Sequence, residues 1–241
     1  MATGDFADLK TKTCRSAHFN PNSSTDLARA GEAVNEANLF VSSQSIHWDF
    51  LMKEGTGTFT ASTDLYSYED LGTAMGETND IEEVIAFYND TDGGLEIEGM
   101  SWEAVERFAL NTQETSEGTG DPIMFGQWNR QVRFYPNPQF ADTFRCLYKF
   151  TPPLLTSDGD TPLVPLSFRM SCLVPYAAAI LLEQEGGGEA MNDYERRMNR
   201  FEKAFVELRS SHGSARAPAF RVKEPSFLRN MPVDHLGRTR G

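Results

Sequence analysis

Hydrophobic and polar residues alternate with a period of two in the middle of the chain. Val132 and Phe134 alternate with polar neighbours, and a second run does the same at Phe144, Cys146, Tyr148 and Phe150. Such alternation is typical of a β-strand with one buried face. Pro136 and Pro138 separate the runs, and a proline lacks the amide hydrogen that a neighbouring strand would accept. The pattern predicts a β-hairpin over residues 131–150. The alternative to a functional role is that this hairpin is simply part of the core of a globular protein.

Towards both ends of the chain the apolar spacing changes to three and four residues, which is typical of helices with one buried face. Ser23 can cap a helix whose stripe is Leu27, Ala30, Val34, Ala37 and Val41. The most apolar stretch, 168–184, predicts a second helix, with Pro175 in its first turn or at a kink. A third helix is predicted over 189–210 from Met191, Tyr194, Met198, Phe201, Phe205 and Leu208.

Between these helices the sequence predicts mainly strands. Residues 56–63 and the start of 64–71 are candidate strands, and 81–89 with 95–97 form a candidate hairpin around a turn rich in Asp and Gly. A short helix is expected at 101–110, where Ser101 can act as a cap. Residues 122–125 then lead towards the hairpin at 131–150.

These elements predict an α+β protein: a helical bundle, made of the N-terminal helix and two C-terminal helices, with an inserted antiparallel β domain and an extended C-terminal arm. The N-terminal segment and helix occupy 1–52, with 1–22 expected on the surface. The β domain occupies 53–164 and the C-terminal helices 165–210. The basic arm, 211–241, has no periodicity, and we expect it to become ordered only against a partner.

The net charge of −13 is unevenly distributed. Residues 64–121 contain sixteen Asp and Glu against one basic residue, Arg107, whereas 211–241 carry six Lys and Arg against two acids. An acidic surface does not bind DNA, because DNA binding depends on Lys and Arg replacing counterions. It can repel DNA or attract a basic partner, or simply keep the protein in solution.

Other features of the sequence bear on compartment and chemistry. No run approaches the roughly 18 apolar residues of a membrane span, and the first residues do not resemble a secretory signal. Three cysteines without CxxC spacing favour a reducing compartment. Glycines 186–188 are not followed by the lysine and hydroxyl of a phosphate loop. Asp158 and Asp160 favour a turn over a calcium site, and His47 beside aromatic residues is interpreted as structural.

The order of motifs resembles a known family. A helix followed by Trp48-Asp49-Phe50, a β insertion, the run Val132 to Pro138 and a return strand ending at Tyr148 and Phe150 precede proline-rich turns and two apolar-faced helices. This order is similar to that of the head-to-tail adaptor proteins of short-tailed bacteriophages, also called tail tube adaptors or connectors. The similarity covers about residues 24–208, and its strongest part is Phe134 to Pro138 together with Tyr148, Phe150 and the Leu154-Leu155 turn.

The resemblance implies a structural virion protein without catalytic, cofactor or metal sites. Such adaptors form a ring, commonly of twelve subunits, beneath the portal at the head–tail junction, with the tail nozzle below and the viral DNA passing through without specific binding. The protein would be made in the host cytoplasm. The alternatives are a tail-completion or nozzle component of the same particle, or a small soluble enzyme.

Two sets of residues are expected to carry this function. We expect acids to line the channel or an inter-subunit face, from among Glu82, Glu83, Glu96, Glu98, Glu103 and Glu106. We expect the arm to dock on the portal or on the neighbouring subunit through Arg216, Arg221, Lys223, Phe227 and Arg229.

Overall fold

The computed structural model describes residues 4–44, 47–78, 80–91, 93–112, 119–186 and 188–214. The helices are α1 (Phe6–Ser16), α2 (Ser24–Ser43), α3 (Tyr68–Met75), α4 (Trp102–Thr112), α5 (Leu166–Phe168), α6 (Val174–Glu185) and α7 (Gly188–His212). A 3-10 turn occupies Asp49–Leu51, and π-helical turns at Arg169–Leu173 join α5 to α6. The helices predicted at 24 onwards, 101–110, 168–184 and 189–210 are confirmed within a few residues.

The strands begin with β1 (His47–Trp48), β2 (Met52–Thr58), β3 (Leu65–Ser67), β4 (Ile81–Asn89) and β5 (Leu95–Met100). They continue with β6 (Thr119–Gly120), β7 (Met124–Trp128), β8 (Gln131–Tyr135), β9 (Asn137–Pro138), β10 (Thr143–Phe150) and β11 (Gly213–Ser214). The predicted hairpin of 81–89 with 95–97 is confirmed, since Phe87 is opposite Ile97 in an antiparallel pair. Mixed α+β structure is therefore confirmed.

The chain divides into two compact units. The first, here called the helical unit, contains the described residues up to 55, together with 75–84 and 147–214. The second, here called the sheet unit, contains the described residues of 56–74 and 85–146. Strands β2, β4 and β10 contribute residues to both units.

The core of the helical unit is built by α1, α2, α6 and α7, which bury residues such as Leu9, Val34, Leu181 and Leu208. Two of these helices begin with side-chain caps, because Asp5 accepts a hydrogen bond from the Asp8 amide and Ser23 from the Asp26 amide. The prediction that residues 1–22 lie over the surface is wrong for helix α1. Phe6, Leu9 and Cys14 on α1 are all buried. Their short apolar face is interrupted by Lys, Thr and Asp, and so gave a weak periodic signal.

The helical run Leu166–Glu185 is long and apolar enough to cross a membrane, and it is the one such run among the residues that the structure describes. Half of its most apolar window is buried inside the protein. The core helix of a globular protein meets the same criterion, so length and composition here are weak support for a membrane span.

The seven-stranded sheet has the order β2-β10-β4-β5-β7-β8-β3. It was predicted to be antiparallel, and this is wrong for β5 and β7, which are parallel, with Glu98 opposite Met124. Helix α4 connects these two strands, and a parallel pair needs such a crossover in place of a tight turn. The sequence predicted the helix at 101–110 but not the direction of β7 relative to β5.

The predicted hairpin over 131–150 is also wrong, although both runs are strands. In the sheet β8 lies between β7 and β3, and β10 lies between β2 and β4. The hairpin instead joins β7 to β8, where Phe125 is opposite Phe134. Its two-residue turn is formed by Asn129 and Arg130, both with positive φ, as a tight hairpin turn requires. Alternation identifies strands and their buried faces, but it does not identify their partners.

Aromatic rings fill the core of the sheet unit. Phe59 lies 4.7 Å from Phe144 and 5.0 Å from Phe134, measured between ring centroids. Phe87 lies 4.8 Å from Phe134 and 5.0 Å from Phe125. All five rings are at most 1% exposed. The period-two pattern of β8 and β10 therefore marks one shared core, as buried strand faces require.

The C-terminal helix continues beyond the predicted boundary at residue 210. Helix α7 ends at His212, and β11 pairs antiparallel with β1 so that Ser214 is opposite His47. The His212 ring nitrogen lies 3.0 Å from an Asp49 carboxylate oxygen. The first four residues of the predicted arm therefore belong to the helical unit, and the rest of it, 215–241, lies outside the described residues.

Candidate assembly surfaces

The helical unit contains an open groove with a volume of about 630 Å³, here called the α2 groove. It is formed by one face of α2, the start of β4, the segment after β10 and α6. Its lining combines acids with large apolar side chains: Glu32, Glu36, Leu39, Phe40, Glu82 and Leu154. Leu154 is 59% exposed. An exposed apolar surface bordered by charge is typical of a protein-binding surface.

The groove uses a face of α2 that the apolar stripe did not predict. The stripe residues, such as Val34 and Val41, are buried in the core. Glu32 and Glu36, spaced four residues apart, lie on one side of the helix and are continued by Phe40. Phe40 does not belong to the apolar stripe and is 37% exposed. These residues line a groove because the segment after β10 lies opposite them.

That opposite wall is fixed to α2 by Asn35. The side-chain amide of Asn35 donates a hydrogen bond to the Leu155 carbonyl, and its oxygen accepts one from the Leu155 amide, both at 2.9 Å. The Thr151 amide in the same segment donates to the Asp80 carbonyl at 2.9 Å. The proline-rich segment was predicted only as turns, but here it is held in one conformation as a groove wall.

Aromatic stacking supports the base of the groove. The Tyr176 ring is stacked on Phe40 at 4.6 Å, and it also lies 4.6 Å from Phe201 on α7. Burial, followed by the nearby charge of Glu36, raises the pKa of the Tyr176 hydroxyl. The hydroxyl therefore stays neutral near pH 7, and the groove's charge comes from its carboxylates.

Side chains of the same chain contact three of the six acids predicted to line a channel or interface, two of them through a Lys or Arg cation and one through a histidine ring. A Glu82 carboxylate oxygen lies 2.9 Å from the Lys149 ammonium, and Glu83 lies 3.1 Å from the His47 ring. Glu106 lies 2.6 Å from the guanidinium of Arg133. These acids were selected from the charge bias alone, and the sequence did not reveal their partners.

The six acids are divided between the two units. Glu82 and Glu83 belong to the helical unit, on neighbouring positions of β4. In the sheet unit, Glu96 and Glu98 are two residues apart on β5 and so share a face. Glu103 and Glu106 are three residues apart on α4. Glu96 and Glu103 are exposed, and Glu98 is partly exposed.

The arm residues Arg216, Arg221, Lys223, Phe227 and Arg229 lie outside the described residues. Their predicted docking therefore stays a prediction.

The sheet unit also exposes large apolar side chains that the sequence analysis did not single out. Leu95 and Trp128 are each 65% exposed, Phe140 is 60% exposed and Ile123 is 53% exposed. Each of these four residues is close to a turn or to the end of a strand. At such positions the alternation of apolar and polar residues no longer indicates which side chains are buried. Trp128 is next to the tight Asn129-Arg130 turn, which the sequence signals only weakly because its second residue is not glycine.

The His, Cys, Asp and Glu side chains of the described part of the chain bear on metal binding and on thiol reactivity. No cluster of three or more His, Cys, Asp or Glu is placed to bind a metal among those residues. The cysteine thiols are buried, and burial raises the pKa of Cys172 to about 12 and that of Cys146 still further. Such thiols are protonated at neutral pH and are poor nucleophiles.

Comparisons with known proteins identify the family. No match was found among curated proteins. A family model described as SU10 adaptor protein matches residues 5–221, and this confirms the resemblance to the phage head-to-tail adaptors. The match includes both units and the segment after α7 up to residue 221. The chain therefore belongs to the SU10 adaptor protein family, a family of bacteriophage structural proteins.

Proposed function

We propose that the protein is a head-to-tail adaptor that forms a ring, of twelve copies, between the portal and the tail nozzle around the path of the viral DNA. The observation that carries this proposal is the family match over residues 5–221. In this proposal α2, α6 and α7 form a helical bundle, the sheet unit is its insertion, and the residues after 214 form the arm. The protein is made in the host cytoplasm and functions at the head–tail junction of the virion.

The exposed apolar side chains support assembly with copies of the chain and with other virion proteins. Leu95, Trp128 and Phe140 in the sheet unit expose more than half of their surface. In the helical unit, Leu154 does the same at the α2 groove. Large exposed apolar residues lower the solubility of a protein that stays monomeric. Where an interface buries them, they contribute to the free energy of association.

The acidic residues are consistent with the proposed channel through which DNA would pass. Like charge repels the phosphate backbone, so an acidic wall lets a duplex slide without binding sites. Among the six candidates we assign this role chiefly to Glu96, Glu98 and Glu103. Glu82 and Glu106 are paired with Lys149 and Arg133 and so contribute less negative potential, and Glu83 is hydrogen-bonded to the His47 ring. For these three, an inter-subunit face is the better proposal.

We assign the arm to docking. Residues 215–241 contain six Lys and Arg against Glu224 and Asp234, in a chain whose net charge is −13. A basic segment joined to an acidic body is suited to bridging between proteins, because it is attracted by acidic surfaces. We propose that Arg216, Arg221, Lys223, Phe227 and Arg229 contact the portal or the neighbouring subunit when the ring assembles.

Electron microscopy of negatively stained mixtures tests the ring. The purified protein is mixed with its portal, and portal alone and adaptor alone are imaged beside it. We expect rings, or a portal collar thickened on one side, only where the adaptor is present. Single small particles and unchanged portals in the mixture would overturn the proposal.

A charge-reversal variant tests the channel. Rings carrying Glu96→Lys, Glu98→Lys and Glu103→Lys are compared with rings carrying the same number of reversals at exposed positions of α7, Glu195→Lys, Glu202→Lys and Glu207→Lys. We expect only the first set to retain duplex DNA, more strongly at low salt, because cationic sites release counterions from DNA. Equal retention by the two sets would place these acids away from the DNA path.

A further inference from the structure

We propose that in the unassembled subunit residues 215–241 bind in the α2 groove of their own chain. This contact exists before any ring forms, so it goes beyond the adaptor function proposed above and can fail separately from it. It is carried by the direction in which the chain leaves β11, by the length of the remaining segment, and by the chemistry of segment and groove.

The pairing of β11 directs the chain towards the groove. Because Trp48 is opposite Gly213 and His47 is opposite Ser214, the chain at β11 runs antiparallel to β1. It therefore leaves Ser214 heading towards the residues that precede His47 in sequence. Those residues lead back to the C-terminal end of α2, where Ser42 and Ser43 line the groove.

The segment after Ser214 is long enough and close enough to occupy the groove. It has 27 residues, and an extended chain spans about 3.3 Å per residue, so the segment can reach about 90 Å. The end of α2 is only four residues before His47, the position opposite Ser214. Tethering also raises the local concentration of the segment to the millimolar range, which favours the groove of its own chain over that of another copy.

The segment and the groove are complementary in charge and in hydrophobicity. Phe220, Arg221, Val222 and Lys223 alternate apolar and basic side chains, and in an extended chain these would point to opposite sides. The groove offers apolar Leu39, Phe40 and Leu154 beside the carboxylates of Glu32 and Glu36. Its third acid, Glu82, is already neutralised by Lys149, so Glu32 and Glu36 are the acids that would meet the arm.

This contact would keep two adhesive surfaces covered until assembly. The groove would hide its apolar side chains from other copies, and the arm would hide its Phe residues. A portal or a neighbouring subunit that binds the arm must then displace it from the groove, so arm docking and groove exposure are coupled.

Cross-linking in the full chain tests the contact. Ser43→Cys at the groove is combined with Ala219→Cys in the arm, and a short bifunctional maleimide is added to dilute subunits without portal. The three natural cysteines are buried and do not compete. We expect an intrachain link in this pair. A control pair, Glu202→Cys with Ala219→Cys, places the first thiol at an exposed position on α7 away from the groove lining and should link much less.

Charge reversal supplies the second readout. We expect Glu32→Lys with Glu36→Lys to reduce the groove link to the level of the control pair, and Glu195→Lys with Glu207→Lys to leave it unchanged. If the reversed protein loses its fold by circular dichroism, Glu32→Gln with Glu36→Gln replaces it with the same expected direction. The absence of a groove link, or a link unaffected by the groove charges, would overturn the proposal.

A mixture of two single-cysteine chains distinguishes one copy from two. One chain carries Ser43→Cys and the other Ala219→Cys, so only a contact between copies can link them. We expect no covalent dimer in the dilute mixture, and efficient dimer formation would overturn the assignment to a subunit's own groove. Subunits that form rings with portal yet show no groove link would refute this contact alone, leaving the adaptor function intact.

Discussion

Lys149 is 2% exposed, and its ammonium lies 2.9 Å from a carboxylate oxygen of Glu82, whose side chain is 34% exposed. The two partners therefore differ in what they lose when separated. A charge without its partner is costly in a buried position and cheap where water can reach it. Removing the carboxylate of Glu82 should therefore destabilise the protein more than removing the ammonium of Lys149.

We expect Glu82→Ala to destabilise the protein more than Lys149→Met. The first change leaves a buried ammonium unpaired and should cost about 2–3 kcal/mol, below the usual loss for a fully buried pair because Glu82 is partly solvated. The second leaves only a partly exposed carboxylate and should cost less than about 1 kcal/mol. Urea unfolding of both variants measures the difference.

The double variant is the control for this pair. Glu82→Ala with Lys149→Met removes both charges, so its free energy of unfolding should be closer to that of Lys149→Met than to that of Glu82→Ala. If Glu82→Ala proved no more destabilising than Lys149→Met, water would reach Lys149 in solution and the pair would be a surface ion pair.

Asn35 should be required for the wall of the α2 groove. Asn35→Ala removes two hydrogen bonds to the backbone of Leu155, each worth about 1 kcal/mol, so a loss of about 2 kcal/mol is expected. Hydrogen exchange should show faster exchange of the Leu155 amide. Asn22→Ala, at an exposed position before α2, is the control and should leave the Leu155 amide protected. Unchanged protection in Asn35→Ala would mean that other contacts hold the wall.

Arg130 should be a site where the protein can be stabilised. Its φ of 59° is in the left-handed region, which costs a non-glycine residue about 1–2 kcal/mol. Arg130→Gly creates the Asn-Gly pair preferred in two-residue hairpin turns and should raise the free energy of unfolding by about 0.5–1 kcal/mol. Arg130→Val should lower it. Thermal unfolding checks both, and destabilisation by glycine would show that the contact of Arg130 with the Tyr68 ring outweighs the strain.

The same turn explains where the sequence analysis of the sheet failed. Asn-Arg is a poor hairpin signal, so the tight β7–β8 connection was passed over in favour of the proline-separated runs at 132–134 and 144–150. Strand positions and buried faces were predictable, because Phe134 and Phe144 had to point inwards. Strand partners were not, because pairing depends on contacts between residues far apart in sequence.

The candidate surfaces were predictable only in part. The uneven charge of the sequence identified a set of acids. It did not predict the contacts that three of them make, which are Glu82 with Lys149, Glu83 with His47 and Glu106 with Arg133. The α2 groove was not predicted, because its wall at Leu154 and Leu155 is more than 100 residues from α2. What the sequence did identify was the order of motifs, and that order led to the correct family.

Asp70 should make the start of α3 sensitive to acid. Its carboxylate accepts hydrogen bonds from the amide and hydroxyl of Ser67, whose hydroxyl in turn accepts one from the Asp70 amide. These bonds lower the pKa of Asp70. The stabilisation is thus present above the unfolded pKa of about 3.9 and is lost as pH falls through the lower folded value.

Asp70→Asn therefore should cost about 0.5 kcal/mol at pH 7 and less at pH 3, which is below the unfolded pKa, so that the unfolded carboxyl is mostly protonated. Urea unfolding of the two proteins at both pH values measures this. An equally exposed acid elsewhere, as in Glu202→Gln, should show no such change between the two pH values. If the destabilisation by Asp70→Asn were larger at pH 3 than at pH 7, the pKa of Asp70 would be raised by folding rather than lowered.

Two deletions separate the structural part of the C-terminus from the part that we assign to docking. Deletion of 212–241 removes His212, whose ring contacts the Asp49 carboxylate and packs on Phe50 and Phe168, together with the β11 pairing to β1. Deletion of 215–241 keeps all of these contacts. We expect the first deletion to lower the midpoint of thermal unfolding much more than the second, which removes only the proposed contact of the arm with the α2 groove.

Assembly should respond differently from stability. Both deletions should fail to thicken the portal collar in negative stain, because both lack Arg216, Arg221, Lys223, Phe227 and Arg229. The deletion of 215–241 is the informative one. If it fails to assemble on the portal, the failure cannot be attributed to a damaged helical unit. Replacing only the four cations with Gln in the full-length chain should weaken assembly in a salt-dependent way, because charge attraction is screened by salt. Full assembly by the 215–241 deletion would show that the arm is dispensable for portal docking.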